Sequence, residues 1–147
     1  MRVHATCVLG ALLAGGCFAG QNDQLYQAAE IDGRLTLRWR QVTKPVGFIA
    51  DRHQEAPNYE ELDVTLPSAQ EGEKFTFPCD GVTTRYDHGK WYPCDTRHGV
   101  KGTLKILRRL PKEVHARLDL RVWCTAEPRA WLSGICVFEV RPYLPLR

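Results

Sequence analysis

The sequence predicts an all-β domain, an antiparallel β-sandwich or small barrel of about seven short strands. Three observations support this fold class. Short segments alternate between apolar and polar residues, turn residues separate these segments at intervals of about 8–12 residues, and little of the chain has a helical period. Since every second side chain of a strand lies on the same face, the alternation predicts strands that bury one face and expose the other.

The first half of the domain contains several of these segments. Residues 21–30 are mostly polar and predict a short helix or an ordered tail. In residues 33–40 the apolar side chains Leu35, Leu37 and Trp39 fall on one face, which predicts a strand. The strands predicted in this half are 33–40, the short apolar run 46–50, 61–66 and 74–79.

A β-hairpin late in the chain is the clearest predicted element. Its arms, residues 102–110 and 114–125, flank the three-residue connection Pro111-Lys112-Glu113. Six alternate positions of the second arm, from Val114 to Cys124, are apolar or cysteine. The pattern of the first arm changes phase at Leu107, which predicts a β-bulge near the turn. The remaining segments predict loops at 80–93 and 127–134 and a last strand at 135–140.

Residues 1–19 predict a cleaved secretory signal that precedes the single β domain of residues 20–147. Arg2 and His4 form a short basic start, and an apolar run of small residues follows them. That run is shorter than the about 20 apolar residues that span a bilayer. Cleavage after Ala19 predicts a periplasmic or secreted protein.

A lipoprotein signal is the alternative for the same segment. The residues that precede Cys17 are small and resemble such a signal, which would end at Gly16 and leave Cys17 lipidated. The usual leucine three residues before the cysteine is missing, so we favour the simple cut. Lipidation would anchor the domain to the outer membrane, and it is the only membrane attachment that we expect.

Four cysteines follow the predicted signal: Cys79, Cys94, Cys124 and Cys136. An even number behind a secretory signal predicts two disulfides, for which three connectivities are open. We favour the local pairs Cys79–Cys94 and Cys124–Cys136, because each closes a short loop, worth about 3 kcal/mol. No CxxC pair is present, which argues against a structural zinc site.

Charge is unevenly distributed along the chain, although the net formal charge is only +3. Residues 51–73 are mainly acidic and residues 97–121 mainly basic, which predicts a dipolar domain unless the two segments neutralise each other. A basic stripe on the hairpin, beside Trp123, would suit an acidic protein, an anionic polysaccharide or lipid head groups, or it is a solvated strand face. We do not expect nucleic acid, because the signal exports the chain. The stripe consists of Lys105, Arg109, Arg117 and Arg121.

Two loops are predicted to present side chains of the kind enriched in protein interfaces. The loop between Cys79 and Cys94 combines aromatic and basic residues, and a second loop carries another aromatic anchor. The alternatives are that Trp91 or Tyr92 caps the core and that Trp131 folds back over the nearby cysteines. The predicted binding residues are Arg85, Tyr86, Trp91, Tyr92, Arg129 and Trp131.

Catalytic signals are sparse. A metal-dependent hydrolase could use the carboxylates and imidazoles of Asp87, His88, Asp95 and His98, although a polar surface loop explains the same residues. Neither Ser68 nor Ser133 lies in a GxSxG setting, and there is no glycine-rich phosphate loop. We therefore expect no cofactor and no enzyme activity.

Three functional classes follow from these observations. The favoured class is a macromolecule-binding domain, such as an inhibitor or immunity-type protein, that occludes another protein with its charged strands and aromatic loops. An envelope-associated accessory lipoprotein, attached through Cys17, is the second class. The metal-dependent hydrolase is the third.

Overall fold

A computed structural model describes residues 20–45, 58–88, 98–124 and 127–144 of the chain. The predicted signal, its Cys17 and the strand predicted at 46–50 lie outside these ranges. The described residues form strands and turns, and they include no helix long and apolar enough to cross a membrane.

The all-β prediction is confirmed, with longer strands than the sequence suggested. Five of the strands run for 12 or 14 residues. The strands of the described residues are β1 Gly20–Ile31, β2 Arg34–Pro45, β3 Asn58–Pro67, β4 Lys74–Phe77, β5 Thr83–His88, β6 His98–Arg109, β7 Glu113–Cys124 and β8 Glu127–Val140.

All eight described strands belong to one mixed sheet with the order β4-β6-β7-β8-β1-β2-β3-β5. The sheet curls into a half-barrel, so the expected sandwich of two packed sheets is not formed. Two antiparallel meanders, β1-β2-β3 and β6-β7-β8, are joined where β1 runs parallel to β8, with Gln27 opposite Glu139. This single parallel pair makes the sheet mixed rather than antiparallel.

The core lies on the concave side of the curled sheet, where the predicted apolar faces meet. Leu35, Leu37 and Trp39 of β2 are at most 3% exposed, as their alternation predicts. The alternate residues of β7, from Val114 to Val122, are buried in the same cluster. Full burial of such a side chain stabilises the fold by about 1.5–3 kcal/mol, so this cluster is the main source of stability.

Residues 21–30 form a strand, so the expected helix or tail is wrong. Strand β1 lies between β2 and β8, and therefore it has a strand partner on each side. Ala28 and Ala29 face opposite sides of the sheet and are both 0% exposed. Because both faces are buried at these two positions, the alternation of apolar and polar residues breaks there, and the pattern did not reveal the strand.

The two predicted loops are partly strands as well. Residues 83–88 form β5, and residues 127–134 form the first half of β8, which pairs with β7. Pro128 is accommodated in β8 because the β7–β8 register shifts between Val122 and Trp123, and a proline is tolerated at such an irregularity.

The β6–β7 hairpin and its bulge are confirmed. The register shifts between Ile106 and Arg108, beside the turn at which Leu110 and Glu113 exchange backbone hydrogen bonds. Strand β6 also bends at Gly102, which has a φ of +120°, and a Cβ atom there would overlap the backbone carbonyl oxygen of Asp119. A glycine kink of this kind lets a sheet curl.

The two local disulfides are not formed. Cys79 is a free, half-exposed thiol, and Cys94 lies outside the described residues. Cys136 is opposite Ala116 on β7, whereas Cys124 ends that strand eight residues further on (116 to 124). That separation is about 26 Å along the strand, and a disulfide needs Cα atoms within about 7 Å. Strand β7 ends at Cys124, and β8 runs back along it in the opposite direction. Cys136 therefore lies far along β8 from Cys124, although the two cysteines are close in sequence.

Candidate functional site

The outer surface of β4, β6 and β7 carries a group of exposed cations. Every second side chain of β7 from Val114 to Val122 is buried, and the intervening side chains therefore face solvent. Because β4, β6 and β7 are neighbours in the sheet, their outward cations share one surface. We give the name cationic face to the five cations of its two central rows, Lys74, Lys101, Lys105, Arg117 and Arg121. Arg108, which is exposed opposite His115 beyond the bulge, lies outside these rows.

The register places these cations directly opposite one another. Lys101 pairs with Arg121 across β6 and β7, and Lys105 pairs with Arg117 in the same way. Lys105 also lies opposite Lys74 on its other side. Like charges in directly opposite positions destabilise a sheet. The fold therefore maintains three repulsive pairs on one exposed surface.

No carboxylate of the described residues forms an ion pair with these cations. The acidic groups along the same strands and turns bind other partners. Asp119 accepts a hydrogen bond from the Trp131 indole at 3.1 Å. The other three are Glu71 and Glu73, which accept backbone N–H groups at 2.8 and 3.0 Å, and Glu113, which contacts His115 Nε2 at 2.9 Å.

Trp131 extends the cationic face onto β8. It lies opposite Arg121, and the Arg121 guanidinium carbon is 5.2 Å from the centroid of its ring. The hydrogen bond from the indole Nε1 to Asp119 fixes the ring from another direction. Trp131 is 59% exposed. It therefore presents a large aromatic surface of defined orientation beside the cations of the face.

Trp123 is the second aromatic side chain of this face, and it is half-buried. Its ring covers Gly99 on the neighbouring strand, where a Cβ atom would approach the indole nitrogen to 2.8 Å. The Lys101 ammonium lies 5.0 Å from the ring centroid. Such cation–π contacts are worth about 0.5–1 kcal/mol at exposed sites. They hold Lys101 near the ring without neutralising its charge.

The opposite part of the sheet carries charges of a different kind. On the outer face of β2 and β3, Arg38 donates two hydrogen bonds to Asp63, at 2.7 and 2.8 Å. Glu61 is 0% exposed and lies 3.4 Å from the Arg38 Nε and 3.7 Å from the Arg40 Nε. The hydrogen bonding of Arg38 to the Asp63 carboxylate raises the pKa of Arg38 above its usual range. Two carboxylates of the acidic segment are thus used inside the structure and do not balance the cationic face.

Of the four residues of the predicted basic stripe, three lie on the cationic face, namely Lys105, Arg117 and Arg121. Arg109 does not. The bulge between Ile106 and Arg108 places Arg109 opposite Val114 instead of an outward residue. Its guanidinium binds the Ala69 carbonyl at 2.7 Å and Glu30 at 2.9 Å. Sequence reasoning also missed two cations of the face. Lys101 had a signal, because it is in phase with Lys105, whereas Lys74 joins only through the pairing of β4 with β6.

The predicted binding loops are only partly described. Tyr86 is 7% exposed and belongs to the core opposite Leu62, so its expected exposure is wrong. It alternates with Arg85, which is exposed. Trp131 is exposed as predicted, but it lies on β8 rather than in a loop. Trp91, Tyr92 and the side chain of Arg129 lie outside the described residues.

The residues of the hydrolase hypothesis are not brought together where they are described. Asp87 lies opposite Glu61, on the outer side of β5. His98 lies on the inner side, where its Nε2 is 3.1 Å from the Thr84 hydroxyl. Asp95 and the side chain of His88 lie outside the described residues, and the described ranges contain no cluster of three His, Cys, Asp or Glu side chains able to hold a metal.

Comparisons with protein-family models, with curated proteins and with solved structures find no match to this chain. The function therefore has to be inferred from the surface itself. The cationic face offers exposed charge that forms no ion pair within the described part of the chain, together with an oriented aromatic ring, and both are features that bind an anionic partner.

Proposed function

We propose that the chain is a macromolecule-binding domain, exported by its predicted signal, that captures an acidic protein through the cationic face. The observation that carries this proposal is the row-by-row juxtaposition of like charges beside an oriented, exposed tryptophan. Such an arrangement lowers the stability of the free domain. Binding of an acidic partner would relieve the repulsion between these cations, and this gain would favour the complex.

The two parts of the face have different roles in this proposal. Trp131 with Arg121 is the anchor, because tryptophan and arginine dominate the binding energy of protein interfaces. The surrounding lysines accelerate encounter with an acidic surface and set its orientation. The domain then acts by occlusion, covering the partner's surface without chemistry of its own.

The test is capture of envelope proteins on the immobilised full chain, followed by elution with a salt ramp. We expect an acidic protein that elutes at moderate salt. For that protein, Trp131→Ala should weaken binding about 30-fold, the loss of a typical hot spot of about 2 kcal/mol. Thermal melts of the variant should match those of the parent, because the ring is mostly exposed.

Tyr143→Ala is the matched control, since Tyr143 is 68% exposed but lies beyond β8 and outside the cationic face. This variant should bind within twofold of the parent. Two outcomes would contradict the proposal: a captured protein whose affinity is the same for both variants, or a column that retains no acidic protein.

A further inference from the structure

We infer that the row Lys74–Lys105–Arg117 is a subsite for a tetrahedral oxyanion, namely the phosphate or sulfate group of an ester. This goes beyond the proposed function, because the row lies at the other end of the cationic face from Trp131 and needs no protein partner. Lys101, in the tryptophan row, and Lys105 are four residues apart on β6, about 13 Å.

Three neighbouring strands each contribute one cation to this row. Lys105 lies between Lys74 on β4 and Arg117 on β7, directly opposite both. At about 4.8 Å per strand, the outer two backbone positions are about 10 Å apart. Long lysine and arginine side chains can converge over that distance on a single ion. The three side chains are exposed, so an ion can reach them from solvent.

The row is more strongly repulsive than the row beside it. Lys105 faces a like charge on both sides, whereas Lys101 faces Arg121 alone among the described strands and also lies over the Trp123 ring. No described carboxylate lies within ion-pair distance of Lys105, Lys74 or Arg117; Asp119, the outward residue two positions from Arg117, is hydrogen-bonded to Trp131 instead. An anionic group bound among the three would turn mutual repulsion into attraction.

The number of cations favours a tetrahedral group over a carboxylate. A carboxylate has two oxygens, which a single arginine fork can satisfy. A phosphate or sulfate ester presents three terminal oxygens, one for each side chain of the row. The next outward position holds Thr76 and Thr103, whose hydroxyls are further hydrogen-bond donors for such a group. On β7 this position holds Asp119, whose carboxylate accepts the Trp131 indole N–H at 3.1 Å on the side away from the row.

The experiment is an amide NMR titration of the full chain with inorganic phosphate and with inorganic sulfate, against sodium acetate at equal ionic strength. We expect saturable shifts centred on Lys74, Lys105 and Arg117 with phosphate and sulfate. Lys105→Gln should weaken this binding at least tenfold. Lys101→Gln removes the same charge from the neighbouring row and should change the affinity less than twofold.

Three results would overturn the inference. The two glutamine variants could weaken binding equally, which indicates diffuse electrostatics. Acetate could bind as tightly as phosphate, or the shifts could grow linearly without saturation. Lys105→Gln removes repulsion and should stay folded, so the variant itself gives an interpretable result.

Two further probes identify the source of the ester. Glycerol 1-phosphate represents a soluble ester, and phosphatidylcholine vesicles with and without phosphatidic acid represent a membrane. Vesicle binding that needs phosphatidic acid and Lys105 assigns the subsite to a lipid head group. Binding of glycerol 1-phosphate without vesicle binding assigns it to a soluble or polymeric ester. Trp131→Ala should retain phosphate binding, which separates a failure of this subsite from a failure of the protein-binding proposal.

Discussion

Reversing the charge of Lys105 should stabilise the free domain, although it removes an exposed residue from a proposed binding surface. In Lys105→Glu, the two repulsive pairs with Lys74 and Arg117 become two attractive pairs. Cross-strand charge pairs contribute about 0.2–1 kcal/mol each. Changing the sign of both should add about 1 kcal/mol to the free energy of unfolding, or about 3 °C in Tm for a domain of this size.

Urea denaturation and calorimetry at two salt concentrations would measure this gain. The screening length falls from about 30 Å at 0.01 M salt to about 3 Å at 1 M, so the gain should be clear at low salt and absent at high salt. The same variant should bind phosphate more weakly than the parent. If Lys105 had only a structural role, its substitution would not raise the free energy of unfolding and weaken phosphate binding at the same time.

Lys112→Glu is the control, because Lys112 is an exposed cation in the β6–β7 turn and is not paired with a like charge in either strand. It makes the same change in net charge and should leave stability within about 0.5 kcal/mol. The reasoning is refuted if Lys105→Glu unfolds at lower urea than the parent, or if Lys112→Glu stabilises equally.

Three other substitutions test separate parts of the structure. Asp63→Asn replaces the charged, two-bond partner of the largely buried Arg38 guanidinium with a neutral amide, while Glu61 remains 3.4 Å away, and should cost about 2 kcal/mol in urea unfolding; a loss below about 0.5 kcal/mol would show that the pair is not needed. Gly102→Ala should prevent folding, seen as a loss of the strand signal in circular dichroism, because its Cβ would overlap the Asp119 carbonyl; a native spectrum would refute the kink. Cys79→Ser should change stability by less than about 0.5 kcal/mol, whereas a loss of about 2–5 kcal/mol would reveal a structural disulfide.

The strands that the sequence predicted best are those in which apolar and polar residues alternate. In β7 this alternation coincides with buried and exposed positions, whereas in β2 and β3 the polar residues Arg38, Glu61 and Asp63 are themselves buried. In all three strands the fold leaves a direct trace in the order of residues. The hairpin and its bulge were likewise predictable, because turn residues and a change of phase are local features. Strand β1 left no such trace, because the adjacent Ala28 and Ala29 face opposite sides of the sheet and are both buried, and the residues before them are mostly polar.

The residues of the candidate site also fall into those that the sequence predicted and those that depend on strand pairing or on the bulge. Lys105, Arg117 and Arg121 follow from the alternation of two adjacent strands, and Trp131 was recognisable as an exposed aromatic. The bulge alone removed Arg109 from the face, because one extra residue sends the next side chain to the other side of the strand. The prediction for Tyr86 was wrong because β5 was interpreted as a loop. In a strand, an exposed Arg85 predicts a buried neighbour at Tyr86, whereas a loop has no such alternation.

The sequence by itself determined the all-β class, the faces of the alternating strands and the presence of a basic hairpin, because each depends on residues close together in the chain. Only the tertiary structure decided which strands are neighbours. It placed Lys74 beside Lys105, moved Cys136 far from Cys124 and buried Arg38, Glu61 and Asp63 together on the outer face of β2 and β3. Pairing between distant strands depends on how the whole sheet buries its apolar surface, and no local pattern records that choice.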